Sequence, residues 1–276
     1  MTLAAESAER IEGVAPVALH ENLLLYAFGP VELVRIRREE ALGALSAGIL
    51  EALQAYVAGL ATRPQVRAVV FTGTGRAFVA GADINIYHGA SAAAFNAYQR
   101  ISRRLFDGIA NLDQITIAAL NGYALGGGFE LALACDFIFM ADKAKVGLPE
   151  IKLGLLPGGG GTQRLPRLVG AMRAKEMVLT GRMLSAEESK ACGIALDVFP
   201  PEELVGKALA YAQTVSAQAP LALVEGKRVI DDGQDAALTA GLTLEQRVLG
   251  ALYASDDAKE GIAAFVEKRQ PAFHGK

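Results

Sequence analysis

Strand-like and helix-like hydrophobic patterns alternate along most of this chain. Nearly continuous apolar runs predict buried strands at residues 66–72 and 115–120, and alternation with Glu32 and Arg35 predicts a half-exposed strand at residues 31–36. Apolar spacing and composition predict helices at residues 45–61, 92–111, 129–135 and 171–180. The alternation of the two patterns predicts an α/β fold.

The pattern changes after a predicted strand at residues 194–199. Pro200 and Pro201 end that strand, and residues 202–265 have a helical composition almost throughout. We therefore expect an α/β core over residues 17–200 and a C-terminal helical region over residues 201–276. No clear repeat, low-complexity tract or linker divides the core further.

Composition and charge disfavour several classes of protein. The 276 residues are 52% hydrophobic, enough to bury a large core, and the formal net charge of −3 disfavours a nucleic-acid partner. Residues 1–16 lack the pattern of a secretory signal, and no long uncharged apolar run predicts a membrane span. Both absences favour a cytoplasmic protein. The few cysteines and histidines lack metal-ligand spacing, so we expect no metal site.

Two glutamates on either side of one predicted strand are the strongest chemical signal. Glu130 follows Gly126-Gly127-Gly128, and Glu150 follows Gly147-Leu148-Pro149. The intervening helix descends about 12 Å and the strand returns about 16 Å, so both carboxylates can face one cavity. Singly, Glu130 could complement a helix dipole and Glu150 could lie on the surface. Together they indicate acid–base catalysis.

Three glycine-rich segments lie beside predicted strand ends: residues 80–83, 126–128 and 157–162. None has the spacing of a P-loop or of a dinucleotide-binding turn. The last segment is compatible with a flexible turn followed by Thr162 as a helix N-cap. A helix that begins at residues 126–128 would instead direct backbone N–H groups at a carbonyl oxygen that becomes negative during a reaction.

Taken in order, these motifs resemble those of the crotonase superfamily, and they are most similar to its enoyl-CoA hydratases. The resemblance runs from about Val31 to Arg269 and covers residues 80–84, 124–131, 147–154, 157–165 and 260–269. It implies a spiral of ββα repeats with a C-terminal helical region that mediates homotrimers or dimers of trimers. It also implies no metal or redox cofactor, because coenzyme A arrives as part of the substrate.

The resemblance assigns roles to individual residues. Glu130 would act as the base toward water and Glu150 as the acid that protonates Cα. The N–H groups of Ala82 and Gly127 would form the oxyanion hole, and the N–H of Gly158 would position the water. The positions that match the coenzyme A site are Ala41, Leu42, Ala80, Phe265 and Lys268. The implied reaction adds water to trans-2-enoyl-CoA in fatty-acid or related acyl-CoA degradation.

Three departures from the family pattern lie near the expected coenzyme A site. Gly43 replaces an asparagine, Glu40 occupies a position that is often basic, and Asn85 stands where many members have a lysine. These three replacements affect the expected contacts with coenzyme A. They do not alter the residues expected around the acyl group.

Alternatives to a general hydratase remain at this point. The two glutamates favour a hydratase over a Δ3,Δ2-enoyl-CoA isomerase, which generally lacks one of them. Residues 130–136 and 158–164 are also similar to those of 3-methylglutaconyl-CoA hydratases of leucine breakdown. A relative of that subgroup binds RNA through a lysine-rich helix, but residues 83–99 here contain no lysine or arginine. Residues 85–98 give no indication of acyl-chain length.

Overall fold

Seven strands form the larger of two sheets in residues 10–276, the part of the chain that the structure, a computed structural model, describes. In spatial order they are β1 (Val17–His20), β2 (Leu23–Phe28), β3 (Val31–Ile36), β4 (Ala68–Thr72), β6 (Ile115–Leu120), β8 (Phe137–Ala141) and β11 (Asp197–Phe199). The first three pair antiparallel, and the pairs from β3 to β11 are parallel. The sequence analysis predicted no secretory signal in residues 1–16, and residues 1–9 of that stretch lie outside the described part.

Four short strands form the second sheet, in the order β10 (Met183–Ser185), β9 (Lys145–Gly147), β7 (Tyr123–Leu125) and β5 (Ala77–Val79). Strands β4, β6 and β8 of the large sheet are each followed by a strand of the small sheet and then by a helical segment. This repeated ββα order confirms the predicted spiral.

The helices of the described residues lie between these strands and after β11. They are α1 (Ala47–Leu60), α2 (Ala92–Ala110), α3 (Gly127–Leu133), α4 (Gly161–Val169), α5 (Ala171–Thr180), α6 (Ala186–Ala191), α7 (Pro201–Ser216), α8 (Pro220–Gln234), α9 (Leu238–Tyr253) and α10 (Asp256–Glu267). Short 3₁₀ turns occur at Glu39–Ala41, Ile84–Ile86 and Pro149–Leu153. No helix within residues 10–276 is long and apolar enough to cross a membrane.

Serine residues fix the start of several helices. The Ser46 side chain accepts a hydrogen bond from Ile49 N at the start of α1, and Ser91 accepts one from Ala94 N at the start of α2. Such caps satisfy N–H groups that have no partner within the helix. Helix α2 therefore begins at a defined point, and it contributes one wall of the cavity described below.

The contacts divide the chain into two compact units. The first extends to Ala212, and the second comprises Gln213–Lys276. The boundary lies inside α7. The predicted division at residue 200, with oligomerisation and coenzyme A closure assigned to the region that follows, stays a prediction.

Strand β3 is buried, whereas the sequence predicted a half-exposed strand. Glu32 is only 7% exposed, and its carboxylate accepts hydrogen bonds from Tyr56 Oη at 2.7 Å and from Arg63 Nη1 at 2.8 and 3.0 Å. Burial, reinforced by the Glu32 charge, raises the pKa of Tyr56, so its hydroxyl remains a donor. A charge satisfied in this way can occupy a buried position that its residue type would otherwise disfavour.

Candidate active site

A cavity of about 610 Å³ brings together most of the predicted site residues. It is lined by Ala41, Leu42, Ala80, Ala82, Gly127, Glu130, Glu150 and Gly158. All of these lie in the first unit. Phe265 and Lys268 belong to the second unit, and their contact with coenzyme A stays a prediction.

Glycines allow helix α3 to begin at the cavity wall. Gly126 precedes the helix with φ +51°, a conformation that favours glycine. At Gly128 a Cβ would lie 2.6 Å from Val79 Cβ and would also overlap the Val79 carbonyl oxygen. The first turn of α3 therefore lies directly against strand β5, which a larger residue at position 128 would prevent.

Two backbone N–H groups lie side by side on this wall. The Ala82 nitrogen is 3.8 Å from the position that a Cβ on Gly127 would occupy. Neither N–H donates a hydrogen bond to any group in the described part of the chain. Two adjacent unpaired donors are suited to bind one oxygen atom that gains negative charge.

The segment that carries Ala82 is held by the loop before α1. Leu45 N donates to Gly81 O at 2.9 Å, and Asp83 N donates to Leu45 O at 3.0 Å. These two bonds leave the Ala82 N–H between them directed away from the loop, as in a parallel strand pair. The backbone pairing thus accounts for the unpaired donor.

Arg38 fastens the same segment through its side chain. Its Nη2 lies 2.8 Å from Asp83 Oδ2, and its Nη1 donates to Ala44 O at 2.9 Å. The hydrogen bond from Arg38 lowers the pKa of Asp83, which keeps the carboxylate ionised. Asp83 also accepts bonds from the backbone and side-chain nitrogens of Asn85, while the Glu40 side chain is largely exposed.

Glu130 is 4% exposed and is held by the glycine-rich segment that follows β9. Its Oε1 accepts hydrogen bonds from Gly159 N at 2.7 Å and Gly161 N at 2.8 Å. Burial raises the pKa of Glu130, and these bonds together with the Arg164 charge act in the opposite direction. The carboxylate is thus fixed in position while Oε2 stays available for a further partner.

The glycine-rich segment at residues 157–161 supports Glu130 through its backbone N–H groups. Its end is fixed by Arg164, whose Nη1 donates to Gly159 O at 2.9 Å and whose Nη2 lies 2.8 Å from Asp107 Oδ1. Helix α4 has Gly160 as its N-cap, so Thr162 lies inside the helix rather than at its cap.

Glu150 has a different environment in the 3₁₀ turn Pro149–Leu153. Its Oε2 is buried without a hydrogen-bond partner among the described residues. Burial raises the pKa of Glu150 to about 7, and the nearby Glu130 charge acts in the same direction. At neutral pH this carboxyl group therefore carries a proton for much of the time, as an acid catalyst requires.

Helix α2 supplies an aromatic wall with few polar groups. Tyr87 packs edge-on against Phe95 and Tyr98, with ring centroids 5.0 and 5.6 Å apart. Gln99 Nε2 donates to Tyr87 Oη at 2.9 Å, and Ser102 Oγ donates to Tyr98 O at 3.2 Å. The wall can therefore contact an apolar group that enters beside the two glutamates.

The sequence profile of the family described as enoyl-CoA hydratase/isomerase matches residues 29–276. The chain belongs to this family. It is 39% identical over 246 residues to the 2,3-dehydroadipyl-CoA hydratase of Escherichia coli, covering 89% of this chain and 96% of that protein. It is 36% identical over 258 residues to the crotonyl-CoA hydratase of Syntrophomonas wolfei, covering 93% and 99% of the two chains.

A solved structure gives the same result for the fold. The crystal structure of enoyl-CoA hydratase from Bacillus anthracis matches with a TM-score of 0.90 and 38% identity, over 93% of this chain and all of that one. The comparisons confirm the predicted superfamily, the spiral fold and an enzyme of the hydratase type.

Several parts of this family member's site were not identified from the sequence. The Gly159 and Gly161 donors to Glu130 lie in a segment whose glycine content was the available signal. The Arg38–Asp83 pair had no signal, because its partners are far apart in the chain. Tyr87 and Gln99 lie in or beside residues 85–98, which gave no indication of the acyl group that the site accepts.

Proposed function

We propose that this protein hydrates trans-2-enoyl-CoA thioesters, with Glu130 as the base and Glu150 as the acid. One observation carries the proposal: the two glutamates line the same cavity as the unpaired N–H groups of Ala82 and Gly127. The family contains isomerases as well as hydratases, so membership alone does not decide between the two reactions. The presence of the second glutamate favours hydration.

The proposed reaction uses one carboxyl group as the base toward water and the other as the acid toward Cα. Glu130 accepts a proton from the water as its oxygen bonds to Cβ, and the electron pair of the double bond moves toward the thioester oxygen. Ala82 and Gly127 stabilise that oxygen by hydrogen bonds, a contribution of about 10²–10³ in rate for one such donor. Glu150 then gives its proton to Cα as the electron pair returns from the thioester oxygen to form the Cα–H bond. Passage of the proton gained by Glu130 to Glu150 restores the starting state.

The remaining predicted residues fit the same proposal. We assign Gly158 N–H to the water, and Ala41, Leu42 and Ala80 to coenzyme A, on the support that all four line the cavity. Phe265 and Lys268 keep their proposed role at coenzyme A on the family resemblance. Addition of water involves no net oxidation or reduction, so the proposed reaction needs no redox cofactor. On the family resemblance we propose that it uses no metal either.

The proposal is tested with Glu130→Gln and Glu150→Gln. Each substitution is expected to lower kcat for hydration of crotonyl-CoA by about 10²–10⁴-fold, the usual contribution of a general acid or base. Glu51→Gln is a matched control, because Glu51 is an exposed residue of α1. Near wild-type turnover in either site variant, or no hydration of any enoyl-CoA by the wild type, would refute the two-glutamate mechanism.

We also propose that the protein assembles as a homotrimer or a dimer of trimers. Helix α9 supports this, because four exposed apolar residues lie on one of its faces: Leu238, Leu242, Leu249 and Tyr253. Light scattering at micromolar concentration should give three or six times the mass of one chain. A cytoplasmic location remains an expectation from the sequence.

A further inference from the structure

We propose that the cavity accepts uncharged acyl groups and rejects short acyl groups that end in a carboxylate. The inference rests on the proposed hydration, because an acyl group occupies this cavity only if its thioester carbonyl binds at Ala82 and Gly127. It narrows the substrate class and disfavours the dicarboxylic alternatives, including 3-methylglutaconyl-CoA.

The charges on the cavity wall disfavour an acyl group that ends in a carboxylate. The wall's ionisable acidic residues are Asp83, Glu130 and Glu150, and none of the lining residues from the described part of the chain is lysine, arginine or histidine. A second carboxylate would therefore meet negative charge and no cation. In a partly desolvated cavity such repulsion is screened less than in water.

Two neighbouring arginines are already engaged. Arg38 binds Asp83 and the Ala44 carbonyl, and Arg164 binds Asp107 and the Gly159 carbonyl. Turning either guanidinium into the cavity would break a charged hydrogen bond with a partly buried partner. Neither arginine is positioned to receive a substrate carboxylate.

Three polar side chains of the acyl wall already donate a hydrogen bond within the protein. Gln99 Nε2 donates to Tyr87, Ser102 donates to the Tyr98 carbonyl, and Tyr98 Oη donates to Leu45 O at 2.8 Å. The remaining wall is aromatic and aliphatic, including Phe95, Phe106, Leu155 and Leu156. A carboxylate that lost its water here would gain little in return, whereas an uncharged group would gain from burial.

A matched pair of substrates tests the inference on the wild-type enzyme. The probes are 2,3-dehydroadipyl-CoA and its terminal methyl ester, which have the same acyl chain and differ in the terminal charge. We expect kcat/KM to be about 10²-fold higher for the ester, as befits a buried charged group without a partner. A ratio below about ten would overturn the inference.

Crotonyl-CoA separates this failure from failure of the proposed function. Hydration of crotonyl-CoA together with equal rates for both probes would overturn the inference alone. Absence of hydration with all three thioesters would overturn the proposed function and the inference with it.

The pH dependence of the ratio gives a second test that needs no variant. An ordinary carboxyl group titrates near pH 4.3, so a substantial minority of the dicarboxylic probe is neutral at about pH 5 and almost none at about pH 8. We expect the preference for the ester to decrease severalfold as pH falls across this interval. A ratio that does not change with pH would contradict a charge-based selection.

A cation placed in the wall should relax the selection. Gln99→Lys introduces an ammonium group, and Gln99→Met is the uncharged control of similar length; both remove the amide that donates to Tyr87. We expect the ester-to-acid ratio to be at least about tenfold lower in the lysine variant than in the methionine variant. Equal ratios in two folded variants, judged by circular dichroism, would overturn the inference.

Discussion

At the scale of single residues, the two glutamates differ in their partners although they share one cavity. Glu130 accepts two backbone hydrogen bonds, whereas Glu150 Oε2 is buried without a partner among the described residues. Different environments for two carboxyl groups are a common way to obtain one acid and one base. Burial, which raises the pKa of Glu150 to about 7, supports its proposed assignment as the acid.

The pH dependence of turnover should report the Glu150 proton. Burial raises the pKa of Glu150 to about 7, so its protonated form, the one that can protonate Cα, is lost as pH rises through that value. We expect kcat for crotonyl-CoA to fall about tenfold for each pH unit above this region. A rate that stays constant between about pH 7 and 9 would exclude Glu150 as the acid.

The same shift has a consequence for stability. The folded-state pKa of Glu150 lies above its ordinary value of 4.5, so the stability given by its neutral form is complete below that value and is lost as pH rises through about 7. Relative to wild type, Glu150→Gln should therefore gain about 1–3 kcal/mol in free energy of unfolding between pH 5 and pH 8. Urea unfolding at both pH values measures this, and an unchanged difference would contradict it.

At the scale of elements, the close approach of α3 to strand β5 fixes the position of the proposed oxyanion donor, the Gly127 N–H. Gly128→Ala introduces a Cβ that overlaps Val79, and we expect a loss of about 1–3 kcal/mol in free energy of unfolding. Gly59→Ala is the control, because Gly59 is helical with open space around it and should be neutral or stabilised by up to about 1 kcal/mol. Equal changes in the free energy of unfolding for the two variants, measured with urea, would show that the overlap at position 128 is relieved without loss of stability.

The pairing of the loop before α1 with residues 80–83 is the second element-scale contact at the site. Arg38→Ala removes the side-chain bonds to Asp83 and Ala44, and we expect kcat to fall about tenfold, because the Ala82 donor becomes less well positioned. Arg38→Lys should recover part of the loss, since it keeps one charged contact. A change in KM alone would instead indicate a role in substrate binding.

The sequence predicted the elements whose patterns are long and regular. The runs at Val31–Ile36 and Ile115–Leu120 and the helix Ala171–Thr180 were predicted with the bounds observed. The three-residue strands of the small sheet were missed, because so few residues show no period. The Arg38–Asp83 contact could not be predicted, since it joins distant segments.

At the scale of the whole molecule, the second unit carries Lys268, for which the family resemblance implies a role at coenzyme A. Lys268 ends helix α10 in a left-handed conformation, with φ +56°. If its ammonium group contacts coenzyme A phosphates, Lys268→Ala should raise KM several-fold with little change in kcat, because the phosphates are remote from the double bond.

Two controls accompany this prediction: a change in ionic strength, and a substitution of a second lysine in the same helix. The difference in KM should shrink as ionic strength rises, because screening weakens the contact in the wild type. Lys259→Ala removes another exposed lysine of α10 and should leave KM unchanged. An unaltered KM in Lys268→Ala would identify Lys268 as a solvated helix end.

The two unpaired donors of this enzyme belong to the main chain, and this determines what a mutational scan can detect. Nineteen of the twenty coded amino acids carry the same N–H, so most replacements at Ala82 test only whether the new side chain fits. Proline alone deletes the group, and Gly127 is the first residue of α3, a position where proline is compatible with a helix. The chemistry can thus be inherited unchanged while the residue that performs it varies.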